Sequence, residues 1–507
     1  MTDDVRVERG RYHDSVTLMR ASAAAAELAG VTSVVAAMAT ELNRSVLVGE
    51  GFDVPATTPD DLVVAVRAAD ATVLAAARAT IERVLAERPD PGSNAGRRVP
   101  VRTVEGAVAA APGATVVVVS VPGAHAYVEA AAALRAGRHV MVFSDGVSVA
   151  DEVALKTEAA TLGLLVMGPD CGTVVLDGVG LGFANVVVPG PVGIVAASGT
   201  GAQQLCALLD GAGIGVRHVL GVGGRDLSDA VGGASTLAAL AALDADPAVE
   251  VIVVVSKPPA PAVADVVTAA ARACTTPVVL AFVGPGRPSL TVAAGVVAAT
   301  LGRPFDEAAQ WSPARPVAAR PGRLLGLCSG GTDCVEAIAV VEARLGPVRA
   351  NVHPDPAQRV GADDLAPGDH VLLDLGDDDL TAGRPHPMID PRPVGERLRA
   401  AAADDATGVV LLDVVLGHAS HLDPVSVLAP AVAAATAAGL AVVVALVGTA
   451  GDPQGLERQA AALAAAGATV HRGVAGAADH AAGLAAATAT ADPSVDPSVE
   501  PSATVAP

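Results

Sequence analysis

The stretch VGIVAASGTGAQQL, residues 192–205, joins three patterns within one short segment. A short run of β-branched and other apolar residues is typical of a strand buried on both faces of a parallel sheet. The run stops at Ser198-Gly199-Thr200-Gly201, where a helical pattern begins. A strand, a turn of small residues and a helix in this order leave helix N–H groups free to bind an anion. A tight turn capped by Ser198 is the simpler alternative.

The same alternation of apolar strands and helical segments continues on both sides of this stretch. Buried strands are predicted at TVVVVSV, HVMVFS, LLVMG, VRHVLGV, VEVIVVVS and PVVLAFVG between residues 99 and 305, and at LLGLCS, HVLLDL, VVLLDVV and AVVVALV between 324 and 487. Strands that alternate with helices predict doubly wound parallel sheets. The predicted fold class is therefore multi-domain α/β, with successive Rossmann-like or flavodoxin-like sheets.

The segments outside these runs complete the predicted organisation. The first residues combine short strands and helices in the pattern of a small α+β domain, and the last repeat a Pro-Ser motif with acidic residues that favours disorder. The predicted segments are an N-terminal α+β domain at 1–95, a Rossmann-like domain at 96–189, a second α/β domain at 190–310, a proline-rich linker at 311–322, a third α/β domain at 323–487 and a disordered tail at 488–507.

The composition of the 507 residues argues against two classes of protein and indicates a compartment. The net charge of −21 argues against a protein that binds nucleic acid by neutralising phosphates. The apolar runs are too short to span a bilayer, so no membrane partner is expected. The five cysteines form no C-x-x-C pair and the N-terminus lacks an apolar signal segment, which indicates a cytoplasmic protein. Lysine is nearly absent, with only Lys156 and Lys257, although many nucleotide sites place a lysine on the phosphates.

Small-residue turns follow several of the predicted strands, at the sheet edge where ligands bind in parallel α/β folds. These turns are GPDCGT (168–173), SGTG (198–201), GVGGRD (221–226), SGGTD (329–333) and LGDDD (375–379). SGTG and SGGTD each open a helix, and two such turns from separate domains favour binding of phosphate or a carboxylate. The predicted phosphate-binding residues are Ser198, Gly199, Thr200, Gly201, Ser329, Gly330, Gly331 and Thr332. Neither lysine lies in a P-loop motif, and no dinucleotide motif has the required spacing.

Ionisable residues cluster in two further loops after predicted strands. In LLDLGDDDLTAGRPHPMID (372–390), Arg384 is predicted to clamp a carboxylate or phosphate, and His386 and Asp377 are predicted to act in proton transfer. A solvated acidic loop is the alternative. In the loop at 413–424, His418 and His421 are predicted to contact substrate; a metal site, or a helix cap at Asp423, are the other interpretations. No metal is predicted overall.

The ordered motifs also carry a family resemblance. The order SVPG, EAAAALRAGRHVMVFSDGV, MGPDCGT, VGIVAASGTGAQQL and GVGGRD resembles the α subunit of succinyl-CoA synthetase over about 110–285, and 323–447 resembles the CoA-ligase domain of such enzymes. The whole chain is similar to the FdrA family of acyl-CoA-synthetase-like proteins. The resemblance implies a CoA-binding-like domain at 96–189 and ligase-like domains at 190–310 and 323–487. It makes the GPDCGT and GVGG turns candidates for substrate or cofactor binding, through Asp170, Cys171, Gly172, Gly223 and Gly224. For Cys171 the favoured alternative is a structural thiol.

Two departures from the synthetase pattern bear on mechanism. The stretch GPGRPSLTVAAG (284–295) has no histidine where the family carries a phosphorylated one, and Gln204 replaces a glutamate of the phosphate-helix motif. The resemblance therefore implies phosphate-dependent acyl or carbamoyl transfer without a phosphohistidine. Oxamate carbamoyltransferase with partner subunits, in ureide catabolism, is the family setting.

The first alternative is a succinyl-CoA-ligase-like subunit that binds CoA, and the second is a non-catalytic metabolite-sensing subunit. The expected ligands are phosphate, CoA as a second possibility, and a carboxylate, acyl phosphate or carbamoyl phosphate substrate. A hetero-oligomer or a homodimer is expected.

Overall fold

The computed structural model describes residues 2–11, 13, 15–26, 28–49, 51–58, 61–86, 101–306, 310–363, 368–381 and 384–489. The chain divides into two compact units, one of residues 1–100 with 382–384, the other of residues 101–381 with 385–507. Nearly all of the predicted disordered tail, from residue 490 onward, lies outside the described residues. Among the described residues, no helix is long and apolar enough to cross a membrane.

The first unit is a small antiparallel sheet with helices, which agrees with the predicted α+β fold. Its elements are β1 (Thr2–Glu8), α1 (Ser15–Ala26), β2 (Val31–Met38), α2 (Glu41–Gly49), β3 (Leu62–Ala68) and α3 (Ala71–Ala86). The strand order is β1-β3-β2, with both pairs antiparallel. Leu18 of α1 and Leu74 and Ile81 of α3 are buried in one cluster with Val64 of the sheet. Helix α2 escaped sequence prediction because its first five residues, ELNRS, include a single apolar side chain.

The second unit begins with a three-stranded parallel sheet. Its elements are α4 (Val104–Ala110), β4 (Val116–Val119), α5 (Gly123–Arg135), β5 (His139–Val142), α6 (Val149–Leu162) and β6 (Val166–Met167). The strand order is β4-β5-β6, with both pairs parallel. Helix α6 is capped at both ends in the usual way, by the Ser148 side chain and by Gly163 in the left-handed conformation.

A six-stranded sheet follows and contains the stretch at 192–205. Its elements are β7 (Thr173–Leu176), β8 (Val179–Gly182), β9 (Val192–Ala196), α7 (Gly199–Gly211), β10 (Val216–Gly221), α8 (Ala234–Asp244), β11 (Val251–Ser256), α9 (Pro261–Ala273), β12 (Val278–Phe282) and α10 (Leu290–Thr300). The order is β12-β11-β9-β10-β7-β8. Strands β9 to β12 pair in parallel, which confirms the predicted fold class. All five residues of β9 are buried, as its unbroken apolar run predicted.

Strands β7 and β8 form an antiparallel hairpin at the edge of this sheet, which the purely parallel prediction missed. The turn is Asp177-Gly178, and both residues have positive φ, 49° and 80°. An Asp-Gly pair with this backbone is the favoured two-residue hairpin turn. The signal was present in the sequence VVLDGVGLG but was not used.

A seven-stranded sheet completes the second unit. Its elements are β13 (Gln310–Trp311), β14 (Arg323–Cys328), α11 (Gly331–Leu345), β15 (Arg349–Ala350), β16 (Val371–Asp374), α12 (Asp378–Thr381), α13 (Arg392–Ala402), β17 (Thr407–Val415), α14 (Pro424–Ala437), β18 (Ala441–Val447), α15 (Leu456–Ala465), β19 (Thr469–Arg472) and α16 (Val474–Ala489). The order is β13-β19-β18-β17-β14-β16-β15, parallel except for the edge pair β13–β19. Strand β13 begins just before the segment predicted as a linker, and α16 extends two residues into the predicted tail.

In each large sheet, strands that follow one another in the chain lie on opposite sides of one central strand. In the six-stranded sheet β10 and β11 lie on opposite sides of β9, and in the seven-stranded sheet β16 and β17 lie on opposite sides of β14. Ligands of open α/β sheets bind at the carboxyl ends of the strands at such a switch point. The turns SGTG and SGGT follow β9 and β14, so each lies at the switch point of its own sheet.

A buried ion network holds helix α6 against the loop that follows β10. The Lys156 ammonium lies 2.7 Å from Glu152 Oε1 and 2.7 Å from Asp226 Oδ1, and it donates to the Val222 carbonyl. Asp226 in turn accepts hydrogen bonds from the backbone N–H groups of Ser235 and Thr236 at the start of α8. The first lysine of the chain is therefore structural.

Candidate functional site

The N-termini of α7 and α11 meet in the second unit. Ser198, the N-cap residue of α7, accepts a hydrogen bond from the Gly201 N–H at 3.0 Å. Its hydroxyl also donates to Thr332 Oγ1, in the first turn of α11, at 2.6 Å. A Cβ atom added to Gly330 would lie 2.6 Å from Thr200 Oγ1, so the two turns are in direct contact. The structure thus brings together the two turns that the sequence predicted to bind phosphate.

The two helices also lie side by side beyond their first turns. Gln204 and Glu336 stand at the same distance from their N-cap residues, Ser198 and Gly330. Gln204 Nε2 donates to Glu336 Oε2 at 2.6 Å, and Glu336 Oε1 accepts from the Leu290 N–H at 2.6 Å. Both side chains are buried. Because both helices point their N-termini at one place, their dipoles reinforce each other there and favour negative charge.

The first turns of both helices leave backbone donors for a ligand. An α-helix gives no internal partner to its first N–H groups. The Ser198 side chain occupies the Gly201 N–H, and in the described part of the chain no hydrogen bond is formed by the N–H groups of Gly199 and Thr200, or of Gly331 and Thr332. Four unoccupied donors at paired helix N-termini form an anion-binding arrangement.

Two buried aspartates hold the turn of α11. Asp413, in β17, accepts the Ser329 N–H at 2.8 and 2.9 Å through its two oxygens. Asp374, at the end of β16, accepts the Gly376 N–H at 2.9 Å. The Asn351 side chain donates to the Asp374 carbonyl and accepts the Asp374 N–H. Burial raises the pKa of Asp413 to about 6 and that of Asp374 to about 7. Asp374 therefore changes its protonation state near neutral pH.

Two more polar side chains face this junction without hydrogen bonds of their own. Thr173 is 4% exposed and its hydroxyl has no partner in the described structure, while a Cβ added to Gly199 would lie 3.2 Å from it. Asp333, in the first turn of α11, is fully buried, and neither carboxyl oxygen makes a hydrogen bond of ordinary geometry in the same part of the chain. Burial and then the nearby Asp413 raise the pKa of Asp333 well above its usual range, whereas the Thr200 hydroxyl lowers it. Buried polar groups normally have partners, so a bound ligand would complete them.

Lys257 lies beside the same junction, and sequence reasoning missed it. It follows β11, the strand next to β9, and its side chain is exposed. A Cβ added to Gly331 would lie 3.3 Å from Lys257 Nζ and 3.0 Å from Asp374 Oδ2. Its position at the end of a central strand is the signal in the sequence, and Lys257 lies in no phosphate-binding motif.

The GPDCGT and GVGG turns pack against each other, and their predicted role in ligand binding stays a prediction. Gly223 has φ 88°, and a Cβ there would overlap the Pro169 carbonyl oxygen, so only glycine permits this approach. Asp170 is accessible to solvent but closely surrounded by protein, and burial followed by Asp378 raises its pKa to about 6.

Cys171 lies beneath the GPDCGT loop. Its thiol faces the Gly221 carbonyl at 3.3 Å, and burial raises its pKa to about 12. The thiol is therefore protonated at neutral pH, which agrees with the structural role weighed from the sequence. Gly172 lies beside the Phe183 ring, since a Cβ added to Gly172 would be 3.6 Å from that ring.

The three residues predicted to be catalytic lie in different surroundings in the described structure. His386 lies over Gly376, where an added Cβ would be 2.5 Å from its Nε2, and its ring packs on Phe183 with centroids 5.8 Å apart. Burial lowers the pKa of His386 to about 4, so the ring is neutral at pH 7. Asp377 accepts the Asp379 N–H at 3.1 Å and so caps α12. Arg384 is exposed and groups with the first compact unit.

The predicted histidines of the 413–424 loop bond two different segments through their backbone N–H groups. The His421 N–H donates to the Met388 carbonyl at 2.7 Å, and the His418 N–H donates to the Ala184 carbonyl at 2.8 Å. Asp423 occupies the N-cap position of α14, but its side chain accepts from Arg458 and Gln459 instead of capping the helix. Within the described ranges, no group of three His, Cys, Asp or Glu residues could hold a metal ion.

Comparisons with known proteins agree with this architecture. A family model described as CoA-ligase matches residues 327–485, and one described as CoA binding domain matches 188–284. The uncharacterized protein YahF of Escherichia coli K12 is 38% identical over 501 residues, which cover 92% of this chain and 95% of YahF. The chain belongs to the FdrA family. The CoA-binding match falls on the segment that the sequence analysis took as ligase-like, and the CoA-binding-like domain at 96–189 stays a prediction.

Two CoA ligase subunits are more distant relatives. The α1 subunit of succinate–CoA ligase from Archaeoglobus fulgidus is 33% identical over 141 residues, 27% of this chain and 48% of that subunit. The malate–CoA ligase α subunit of Methylorubrum extorquens is 30% identical over 183 residues, 33% of this chain and 58% of that subunit. The protein is thus a member of the CoA-ligase and CoA-binding superfamily, of the acyl-transfer or acid–thiol ligase kind.

A third family model, described as the AllF heavy metal-associated domain, matches residues 1–100. Soft metal ions in proteins are held by thiolate, thioether and imidazole groups. Residues 1–100 contain no cysteine, and His13 is their one histidine, whose Nε2 accepts a hydrogen bond from Arg11. The donor set does not fit a thiolate metal site.

Proposed function

We propose that the protein catalyses phosphate-dependent acyl or carbamoyl transfer at the junction of α7 and α11. The observation that carries the proposal is the 2.6 Å hydrogen bond from Ser198 to Thr332, which joins the first turns of two helices from two different sheets. An anion at this point receives N–H donors from both helices and the positive ends of both dipoles. Preorganised donors of this kind stabilise negative charge that develops in a transition state.

The chemistry requires one proton to change place. The acceptor nitrogen attacks the acyl or carbamoyl carbon of the acyl phosphate, the bond from that carbon to the phosphate oxygen breaks, and a proton of the nitrogen ends on the released phosphate; attack by phosphate on the product is the reverse reaction. Asp374, with a pKa of about 7, is suited to relay this proton because it can both accept and donate near neutral pH. The neutral His386, beside Gly376, accepts the Met388 N–H through its Nδ1. Its Nε2 therefore carries the hydrogen and can donate to substrate.

Phosphate would act without a covalent phosphoenzyme. The stretch after β12, GPGRPSLTVAAG (284–295), contains no histidine to accept a phosphoryl group. The carboxylate beside Gln204 comes from the companion helix as Glu336, and it is occupied by Gln204 and the Leu290 N–H. Both features favour a phosphate held by non-covalent contacts.

The proposed substrates are those implied by the family setting, namely carbamoyl phosphate and oxamate, with partner subunits supplying the remaining parts of the site. The test incubates purified full-length protein, with and without the products of neighbouring genes, with carbamoyl phosphate and oxamate. Phosphate release that depends on oxamate is expected. CoA binding together with an absence of carbamoyl transfer in every subunit combination would refute this proposal.

A second candidate function is CoA–acid ligation, and the two CoA-related family matches favour it. In this case the anion at the junction would be the acyl phosphate of a ligase reaction, and CoA would bind the Rossmann-like region. The same preparation, given CoA, ATP and succinate, distinguishes the two. Formation of a thioester by this chain with a nucleotide-using partner would favour the ligase.

A further inference from the structure

We propose that Lys257 supplies the positive charge that holds the phosphoryl group of the substrate at the junction of α7 and α11. This inference rests on the proposed function, because it assigns a residue and a substrate class to that same site. Lys257 Nζ lies 3.3 Å from the position of a Cβ on Gly331, the first residue of α11. The ammonium group is therefore placed directly beside the free N–H groups of that helix.

The Lys257 ammonium group has no ion-pair partner among the described residues. In the described part of the chain its ammonium group forms neither a hydrogen bond nor an ion pair within 4.0 Å. The other lysine, Lys156, is buried between Glu152 and Asp226. Arginine provides the positive charge in the rest of the chain, since the 33 basic residues include only these two lysines. An exposed lysine at a strand end, with no partner among the described residues, is consistent with a compact point charge that binds phosphate.

Two carboxyl groups lie near enough to Lys257 for its charge to lower their pKa, Asp374 from the seven-stranded sheet and Asp170 from the GPDCGT loop. Burial acts in the opposite direction and is the larger effect for both groups. Lys257 is therefore close to both the loop after β16 and the GPDCGT loop. Protonation of these carboxyl groups on binding would leave the lysine charge to the incoming anion. The geometry thus selects a phosphoryl-bearing substrate over a neutral one.

The experiment uses the small number of lysines. Native full-length protein is treated with limiting acetic anhydride, and acetylation at Lys257 and Lys156 is quantified by mass spectrometry with inorganic phosphate or with sodium chloride of equal ionic strength. Phosphate is expected to slow acetylation of Lys257 at least fivefold, while Lys156 stays unreactive in both conditions. Equal rates for Lys257 with and without phosphate would overturn the inference even if the variants below do not fold.

Calorimetric titration with phosphate gives the second measurement. Lys257→Met is expected to weaken phosphate binding at least tenfold and Lys257→Arg less, whereas Arg303→Met, which removes an exposed cation after α10, leaves it unchanged. Binding by Lys257→Met as tight as that of the wild type would overturn the inference and leave the proposed site intact. Protection of Lys257 by phosphate without any transfer activity would refute the proposed function and support the inference. A wild-type protein that binds no phosphate would overturn both.

Discussion

Gly330→Ala tests whether the contact between the two helix turns forms the anion site. Gly330 has φ −159° and ψ 142°, which alanine adopts without strain, so the effect of the substitution is steric. The new Cβ would lie 2.9 Å from Thr200 Cβ, 2.6 Å from its Oγ1 and nearer still to its Cγ2. Carbon atoms pack at about 3.5–4.0 Å, so the turns must separate by roughly 1 Å.

A separation of this size acts on binding more than on folding. The Ser198–Thr332 hydrogen bond of 2.6 Å would lengthen to beyond about 3.5 Å, which breaks it. Overpacking costs about 1–3 kcal/mol of stability. Loss of one or two charge-assisted hydrogen bonds to the anion, at about 1.5–3 kcal/mol each, lowers phosphate affinity roughly tenfold to a hundredfold or more.

The assay is calorimetric titration of the full-length variant with inorganic phosphate, together with its melting temperature. Gly395→Ala is the matched control: Gly395 lies inside α13, an added Cβ there meets Ala431 at an ordinary 3.8 Å, and about 0.5–1 kcal/mol of stabilisation is expected with unchanged phosphate affinity. Wild-type phosphate affinity in a folded Gly330→Ala variant would show that the contact between the turns is only structural.

Three further predictions follow from burial and charge in the second unit. The folded pKa of Asp374, about 7, exceeds the usual value of 3.8, so the wild type loses stability as pH rises from about 4 to 7. Asp374→Asn removes this loss. Its melting temperature should therefore exceed that of the wild type by an amount that grows toward pH 8 and corresponds to roughly 2–4 kcal/mol. A difference in melting temperature that stays the same at every pH would contradict the raised pKa of Asp374. Lys156→Met leaves the buried Asp226 carboxylate without its cation and Glu152 with Arg225 alone, and it should cost about 3–5 kcal/mol in thermal or urea unfolding, unless the charges are removed as well. Iodoacetamide at pH 8 should modify the half-buried Cys274 in the native protein well before Cys171, and early labelling of Cys171 by mass spectrometry would exclude the structural assignment of that thiol.

The fold class followed from the sequence because buried parallel strands are apolar along their whole length. The run VGIVA became β9 with every residue buried, and AVVVALV became β18 in the same way. Irregular features were harder to predict, since they depend on one or two residues. The Asp177-Gly178 turn changed the direction of a strand at the sheet edge, and the two-residue strand β13 formed only because β19 was there to pair with it.

The candidate site was predicted in part for a similar reason. The turns SGTG and SGGT have a local signature, and the 2.6 Å Ser198–Thr332 bond shows them in contact. Asp413 has no such signature, because its carboxylate sits in the middle of an apolar strand and its role depends on the Ser329 N–H across the sheet. Arg384 and Asp377 were predicted from the density of charged residues in one loop, and their catalytic role stays a prediction; in the structure Asp377 caps α12 and Arg384 is exposed.

The pairing of α7 with α11 explains why the two turns resemble each other yet are not equivalent. Each sheet contributes a strand, a small-residue turn and a helix at its switch point, and the two halves meet through Ser198 and Thr332. A symmetric pair of helix N-termini would hold an anion but could not distinguish its two ends. The flanking groups differ, because the six-stranded sheet adds Lys257 and the seven-stranded sheet adds Asp374. Both groups lie beside Gly331, so a phosphate bound there would meet a cation and a carboxyl group that titrates near pH 7 at the same end of the site, and its charge would face the lysine while its proton could bond the aspartate.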